Sequence, residues 1–313
     1  MDKYAFIFPG QGAQKVGMGK DLYDNSPAAK NVFETADRVL GYKISELCFF
    51  GSDDDLMKTI NSQPCILTVS IAALEAFRES ININAVAYAG HSLGEYAAMY
   101  AAGAIDLETA FKLIQRRAAL MNDAAEKTSG LMAAVIGLDD KTVEKVTNEI
   151  NNVYVANYNS PVQVVITGDK DQIINNINKY KEAGARKVIP LSVSGAFHSP
   201  LMQCASDMFV DFVGQFNFSN TEYPVYSNVD AIGETFGQQM RDKLPKQMCS
   251  SVLWTKTIRN IFQSGISNFV EIGPGRVLAG LNNKINSEIN TLNVSDYESL
   301  MKVVSELKEK ELV

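Results

Sequence analysis

A chain of 313 residues, 46% hydrophobic and 21% charged, is long enough to bury a large core and too apolar to be disordered or fibrous. Its formal net charge of -7 disfavours nonspecific attraction to nucleic acid or to an anionic membrane, since both reward a basic surface. Four scattered cysteines, Cys48, Cys65, Cys204 and Cys249, without CxxC spacing, speak against a disulfide scaffold and fit a reduced, cytoplasmic compartment.

Residues 4–8 read as a short buried strand, too brief for a signal-peptide core. It runs into Pro9-Gly10-Gln11-Gly12, a turn that lets backbone amides approach a ligand. No unbroken apolar run approaches the roughly 18 residues of a membrane helix. Ser62, before Gln63-Pro64 and the apolar Ile66, Leu67, Val69, Ile71 and Leu74, reads as the N-cap of a buried helix with proline in its first turn.

Residues 85–89 supply the next strand, followed by Gly90-His91-Ser92-Leu93-Gly94 and an alanine-rich helix that ends at Gly103. Asp106 caps a further helix, on which Leu107, Ala110, Phe111, Ile114, Ala118 and Met121 keep helical spacing, leaving Arg116 and Arg117 near its expected end.

From 130 to 191 the pattern changes: strand 131–137, helix 141–150, strands 153–157 and 163–168, helix 172–183, strand 186–191. That is the βαββαβ order of a ferredoxin-like unit. Mixed patterning then resumes with strands at 224–228 and 268–272. The capping box Ser295-Asp296-Tyr297-Glu298 opens a last helix. The expected fold class is therefore α/β: a hydrolase-like large domain, 1–127 and 196–313, with a central, mostly parallel sheet, and an inserted ferredoxin-like small domain, 128–195.

Gly90-His91-Ser92-Leu93-Gly94 fits the G-x-S-x-G nucleophile elbow, whose glycines clear space around a strained turn that exposes the serine. A serine needs a base, and only two histidines are available. His91 adjoins Ser92 and points elsewhere on a tight turn. His198 remains, in the small-residue loop Ser194-Gly195-Ala196-Phe197-His198-Ser199-Pro200. The plainer readings, Ser92 as a helix cap and His198 as a loop histidine, are outweighed by the strand before the serine, the helix after it and the scarcity of histidine. Two distant histidines outside any HExxH or His/Cys cluster predict no metal. No triad acid is identifiable, and thioester chemistry asks for less: its leaving thiol has a pKa of about 8.5, so little general-acid help is needed. Gly273-Pro274-Gly275 lacks the lysine of a phosphate-binding loop.

Several motifs in order resemble those of the malonyl-CoA:acyl carrier protein transacylase family along nearly the whole chain. They are Phe8-Pro9-Gly10-Gln11-Gly12-Ala13-Gln14, Gln63-Pro64, residues 90–95, Arg117 with Met121, and Asn159-Ser160-Pro161 with Gln163. Residues 195–199, Gln247 with Trp254, and Glu271-Ile272-Gly273-Pro274-Gly275 complete the set. The resemblance implies transfer of malonyl from malonyl-CoA to the phosphopantetheine of holo acyl carrier protein through a malonyl-serine. The setting implied is fatty-acid synthesis, with a polyketide pathway as the alternative and no cofactor of its own; a monomer is the default expectation for a free-standing chain of this length. In those terms Ser92 is the nucleophile, His198 the base, the Gln11 and Leu93 amides the oxyanion hole, and the Gln247 carbonyl the group that orients His198. Arg117 pairs with the malonyl carboxylate, and Gln63, Asn159 and Phe197 bind substrate, Phe197 leaving little room for a methyl branch.

Residue statistics alone leave some of this open. Asn159 and Gln163 equally serve the turn at Pro161, and Arg117, like Arg116, equally favours a helix C-terminus. Ala118 stands where the family usually has glycine, and Ser250-Ser251 replace a common Asn-Pro. A serine esterase or thioesterase shares the elbow and delivers the acyl group to water. Arg117 and the missing acid speak against it, and Ser92, His198 and the Gln11 loop together speak against a silent carrier-binding subunit.

Overall fold

The computed structural model describes residues 3–193 and 195–311; Ser194, in the loop before His198, lies outside them. The strands are β1 (Tyr4–Phe8), β2 (Ala87–Gly90), β3 (Gly130–Ile136), β4 (Val153–Ser160), β5 (Gln163–Asp169), β6 (Lys187–Pro190), β7 (Val225–Tyr226), β8 (Gly233–Glu234), β9 (Asn268–Ile272) and β10 (Asn290–Val294). One sheet runs β10-β9-β1-β2-β7-β8 and is parallel except at β8. Every residue of β1 and β2 is buried, which is why these segments are continuously apolar rather than alternating. Their register sets Phe8 beside Gly90. The loops after both strands therefore leave the carboxyl edge of the sheet side by side, where open α/β sheets hold ligands.

The second sheet, β4-β5-β3-β6, is antiparallel throughout, the strand order expected of a ferredoxin-like unit. The two faces of β3 divide its side chains. Ala133 and Val135 pack into a local core with Val143, Ile173 and Tyr180 from the two helices of this unit. Met132 and Ala134, on the other face, join the main core. The chain enters and leaves this unit at one point, since a Cβ on Gly130 would collide with the Ala196 nitrogen. Strand β4 is stitched to the large sheet's side of the molecule by Val252 N–H to Ala156 O, 2.8 Å, and Tyr158 N–H to Val252 O, 2.9 Å.

Several boundaries differ from the sequence expectation. The buried helix begins at Thr59, not after Ser62. The amides of Asn61 and Ser62 already bond to Lys58 O at 2.9 and 2.8 Å, so Ser62 is helical and Pro64 sits in the second turn, where only the Ile60 carbonyl loses its partner. By length and composition this helix could cross a membrane, yet 83% of its most apolar window is buried in the protein. Strand β4 extends to Ser160, so Asn159 is a strand residue and not part of the turn. The edge strands β8 and β10 were not expected: β8 has two residues and β10 is rich in asparagine.

The C-terminal helix, Tyr297–Glu311, is capped one residue later than expected. Asp296 Oδ1 accepts from Ser299 N–H at 2.9 Å, and Ser299 Oγ accepts from Asp296 N–H at 3.1 Å. Ser299, not Glu298, closes the box. Asp296→Ala is expected to lower unfolding stability by about 1 kcal/mol, and Ser295→Ala to change it by less than roughly 0.5 kcal/mol. Urea unfolding midpoints in the reverse order would return the cap to Ser295.

Candidate active site

Ser92 follows β2 with φ 52, a left-handed backbone that costs a non-glycine residue about 1–3 kcal/mol. The flanking glycines make the turn possible. A Cβ on Gly90 would run into the Gly94 main chain, and one on Gly94 into the Phe8 carbonyl; neither obstacle can move aside. Asn228, just past β7, grips the turn from the other side. Its Oδ1 accepts from Ser92 N–H at 2.7 Å and its Nδ2 donates to Gly90 O at 2.7 Å.

His198, also left-handed at φ 58, meets the serine across 106 residues of sequence, with Nε2 2.8 Å from Ser92 Oγ. Its Nδ1 faces two carbonyls, Gln247 O at 2.9 Å and Ser250 O at 3.2 Å. Carbonyls only accept, so Nδ1 carries the proton and Nε2 offers its lone pair to the serine hydroxyl. Burial first, and the Arg117 guanidinium second, hold the imidazole down at about 3. The ring is neutral at neutral pH and in the right tautomer.

Arg117, fully buried, donates from Nη2 to Ser92 Oγ at 3.0 Å and to Gln247 Oε1 at 2.9 Å, and from Nη1 to Gln63 Oε1 at 2.7 Å. Its guanidinium also lies 5.7 Å from the Tyr96 ring centroid. Arg116 lies elsewhere, beside Met208 and Asp211, so the structure brings Arg117 alone of the two to the serine. The Gln247 side chain continues the network: Nε2 donates to Ser92 O at 3.0 Å and to Glu95 Oε2 at 2.7 Å. Glu95 Oε2 also accepts from Asn228 N–H at 3.0 Å. Burial pushes the Glu95 carboxyl up to about 7 against the pull of these donors and of Arg117.

Sequence reasoning assigned no role to Glu95 or Asn228. In the first turn of a helix, Glu95 looks like a routine dipole partner, and Asn228 looks like any strand-ending residue. Only the folded chain shows that both hold the elbow.

A cavity of about 270 Å³ opens over Ser92 and His198. Gln11, Gln63, Asn159 and Phe197 all line it, with Met132 and Val165 of the second sheet on its apolar side. The site is therefore the seam between the two sheets. Among the described residues neither the Gln11 nor the Leu93 N–H has a hydrogen-bond acceptor, which leaves both available to an oxyanion. Arg117 and Gln247 stand behind this wall. Asn159 Oδ1 lies 2.8 Å from His91 Nε2, and the His91 ring is 5.6 Å from that of Trp254, so His91 braces β4 against the elbow. Among the described residues no group of three or more His, Cys, Asp or Glu could hold a metal ion.

Residues 5–309 match the family model described as "Acyl transferase domain". The malonyl CoA-acyl carrier protein transacylase of Bacillus subtilis (strain 168) is 42% identical over 314 residues, covering 99% of each chain. That of Staphylococcus aureus (strain MRSA252) is 38% identical over 96% of this chain and 98% of its own. Two solved structures agree at 36% identity and TM-score 0.94. One is the Clostridium perfringens malonyl CoA-acyl carrier protein transacylase, matched over 99% of this chain and 98% of its own. The other is a malonyl-transacylase in complex with its type II PKS acyl-carrier protein, matched over 97% and 100%.

A base must be unprotonated to act, and His198 at about 3 stays so through the mildly acidic range. Labelling of Ser92 by an uncharged fluorophosphonate is expected to hold a constant rate from neutral pH down to about pH 5, below the ordinary imidazole value. A fall in rate centred on that ordinary value would mean that the imidazole titrates as if solvated.

Proposed function

The chain belongs to the acyl transferase domain family and, within it, to the malonyl CoA-acyl carrier protein transacylases, and from that membership we propose that it transfers malonyl from malonyl-CoA to the phosphopantetheine thiol of holo acyl carrier protein, supplying fatty-acid synthesis. The observation that carries this reading is the 2.8 Å contact of Ser92 Oγ with His198 Nε2, with Arg117 3.0 Å from the same oxygen. It supports the reading because a hydroxyl, an imidazole lone pair and a guanidinium converge at one point.

In the first half-reaction His198 Nε2 takes the hydroxyl proton as Ser92 Oγ attacks the thioester carbonyl. The Gln11 and Leu93 amides hold the oxyanion. CoA departs as a thiol, carrying the proton from His198, and malonyl remains as an ester on Ser92. The carrier's thiol then attacks this ester, His198 takes the thiol proton, and the same proton returns to Ser92 as it leaves. The Nδ1–H bonds to Gln247 O and Ser250 O steady the imidazolium in between, the part that a triad acid plays elsewhere.

Arg117 selects the acyl group. The malonyl carboxylate takes the guanidinium hydrogens now given to Gln63 and Ser92, a charge-assisted fork that acetyl cannot make. An anion there also offsets the positive charge that depresses His198, so the base strengthens as the acidic acyl group docks. Phe197, walling the cavity, excludes a branch at the α-carbon. The enzyme acts as a cytoplasmic monomer with no cofactor of its own. A relative's complex with an acyl-carrier protein supports the carrier as partner.

Incubation with malonyl-CoA is expected to give one malonyl adduct on Ser92 by intact-mass spectrometry, discharged rapidly by holo acyl carrier protein and slowly by buffer. Rapid discharge by water alone would make the protein a hydrolase. His198→Ala is expected to slow adduct formation a hundredfold or more, on the order of a lost general base. Arg117→Ala is expected to reduce the preference for malonyl over acetyl by about ten- to a hundredfold, the worth of a hydrogen-bonded charge. An unchanged preference would mean that the carboxylate is held elsewhere.

A further inference from the structure

We propose that Glu95 is a positioning residue for acyl-group selection: through the Gln247 side chain it fixes the setting of the Arg117 guanidinium. The inference rests on the reading of Arg117 as the carboxylate's partner and assigns the group that holds Arg117 ready.

A primary amide presents two ends of nearly equal shape, and only its partners decide which end carries oxygen. In Gln247 the Nε2 group donates to Glu95 Oε2 at 2.7 Å and to Ser92 O at 3.0 Å, leaving Oε1 to accept from Arg117 Nη2 at 2.9 Å. Glu95 Oε2 already accepts from the Asn228 N–H at 3.0 Å and the Ser92 carbonyl can only accept, so both face Gln247 as acceptors. Turning the amide over would set its oxygen against two oxygens and its NH2 against a guanidinium that has only hydrogens to offer. Glu95 thus admits a single orientation, and that orientation points an acceptor at Arg117.

The consequence for recognition is geometric. Gln247 holds the guanidinium at Nη2 and Gln63 holds it at Nη1. A planar fork held at two of its nitrogens has its plane fixed, and bidentate capture of a carboxylate depends on that plane. Among the described residues no hydrogen bond joins Glu95 to Arg117 directly; the hydrogen-bonded link runs through Gln247, and the direct attraction of the two charges is what Glu95→Gln separates from it. Glu95 is well placed to hold firm. It is fully buried in the first turn of the elbow helix, Gly94–Ala101, and the same Oε2 accepts the Asn228 main chain at 3.0 Å.

The test compares kcat/KM for malonyl-CoA and for acetyl-CoA, with holo acyl carrier protein as acceptor, in the wild type, Glu95→Gln, Glu95→Ala, Gln247→Leu and the Ala/Leu double variant. Glu95→Gln keeps an acceptor oxygen and is expected to hold the malonyl-to-acetyl ratio within about threefold of wild type. Glu95→Ala and Gln247→Leu are each expected to lower the ratio by about tenfold or more, and the double variant no further, as residues of one chain of contacts behave. Should Glu95→Ala fail to fold, Glu95→Met, which fills the same space without an acceptor oxygen, takes its place with the same loss of ratio expected, and an unchanged ratio there overturns the inference.

Equal losses with both acyl groups in folded Glu95→Ala would reduce Glu95 to scaffolding and overturn the inference. So would a loss in Glu95→Gln as deep as that in Glu95→Ala, because charge and not the hydrogen bond would then be at work. Arg117→Ala separates the two levels: a ratio lost there and retained in Glu95→Ala overturns only the role of Glu95. A ratio unchanged in Arg117→Ala overturns the reading of Arg117 and the inference together.

Discussion

The 2.8 Å contact between Ser92 Oγ and His198 Nε2 joins two residues that both occupy left-handed backbone, and neither would stay there without its surroundings. The elbow is enforced by crowding: Gly90, Gly94 and the end of β1 approach so closely that any side chain would collide. The His198 turn is enforced by hydrogen bonds, its amide donating to Met248 O at 3.1 Å and its Nδ1 to Gln247 and Ser250. Strain of this kind persists only where the fold over-determines it, and here strand register and one short segment after the helix Gly237–Gln247 do so.

Around that contact lies a polar network that would be costly if it were incomplete. A buried guanidinium without partners loses several kcal/mol of solvation. Arg117 meets Gln63, Gln247 and Ser92, with Glu95 one residue away through Gln247. Two glutamines thus spread a buried charge over neutral acceptors, which leaves the cation able to exchange one of them for an incoming anion. Arg117 Nε and Tyr96 OH, without partners among the described residues, mark where the network is least satisfied.

Much of this was legible in the sequence because it is local. The strand, turn and helix around Ser92 carry glycines at fixed spacing, and the βαββαβ rhythm of 130–191 repeats short elements with clear punctuation. With two histidines, elimination reached His198. What could not be read depends on distant segments meeting. Asn228 and Glu95 acquire roles only because β7 pairs with β2. Asn159 passes for a turn residue beside Pro161 until β4 is seen to run on to Ser160. The helix at Thr59–Ser80 misled because Ser-Gln-Pro is a good start signal that an earlier turn, anchored on the Lys58 carbonyl, makes unnecessary.

Residues 250–252 touch both halves of the molecule. The Ser250 carbonyl receives the His198 Nδ1–H, the Ser251 hydroxyl donates to Val155 O at 2.6 Å, and Val252 exchanges main-chain bonds with Ala156 and Tyr158. The inserted unit is thus no interchangeable cassette. To transplant a relative's insert is also to transplant the far end of a tether whose near end steadies the imidazole, so a chimaera whose fourth strand slips by a single residue would keep its serine, its histidine and its fold while losing their alignment.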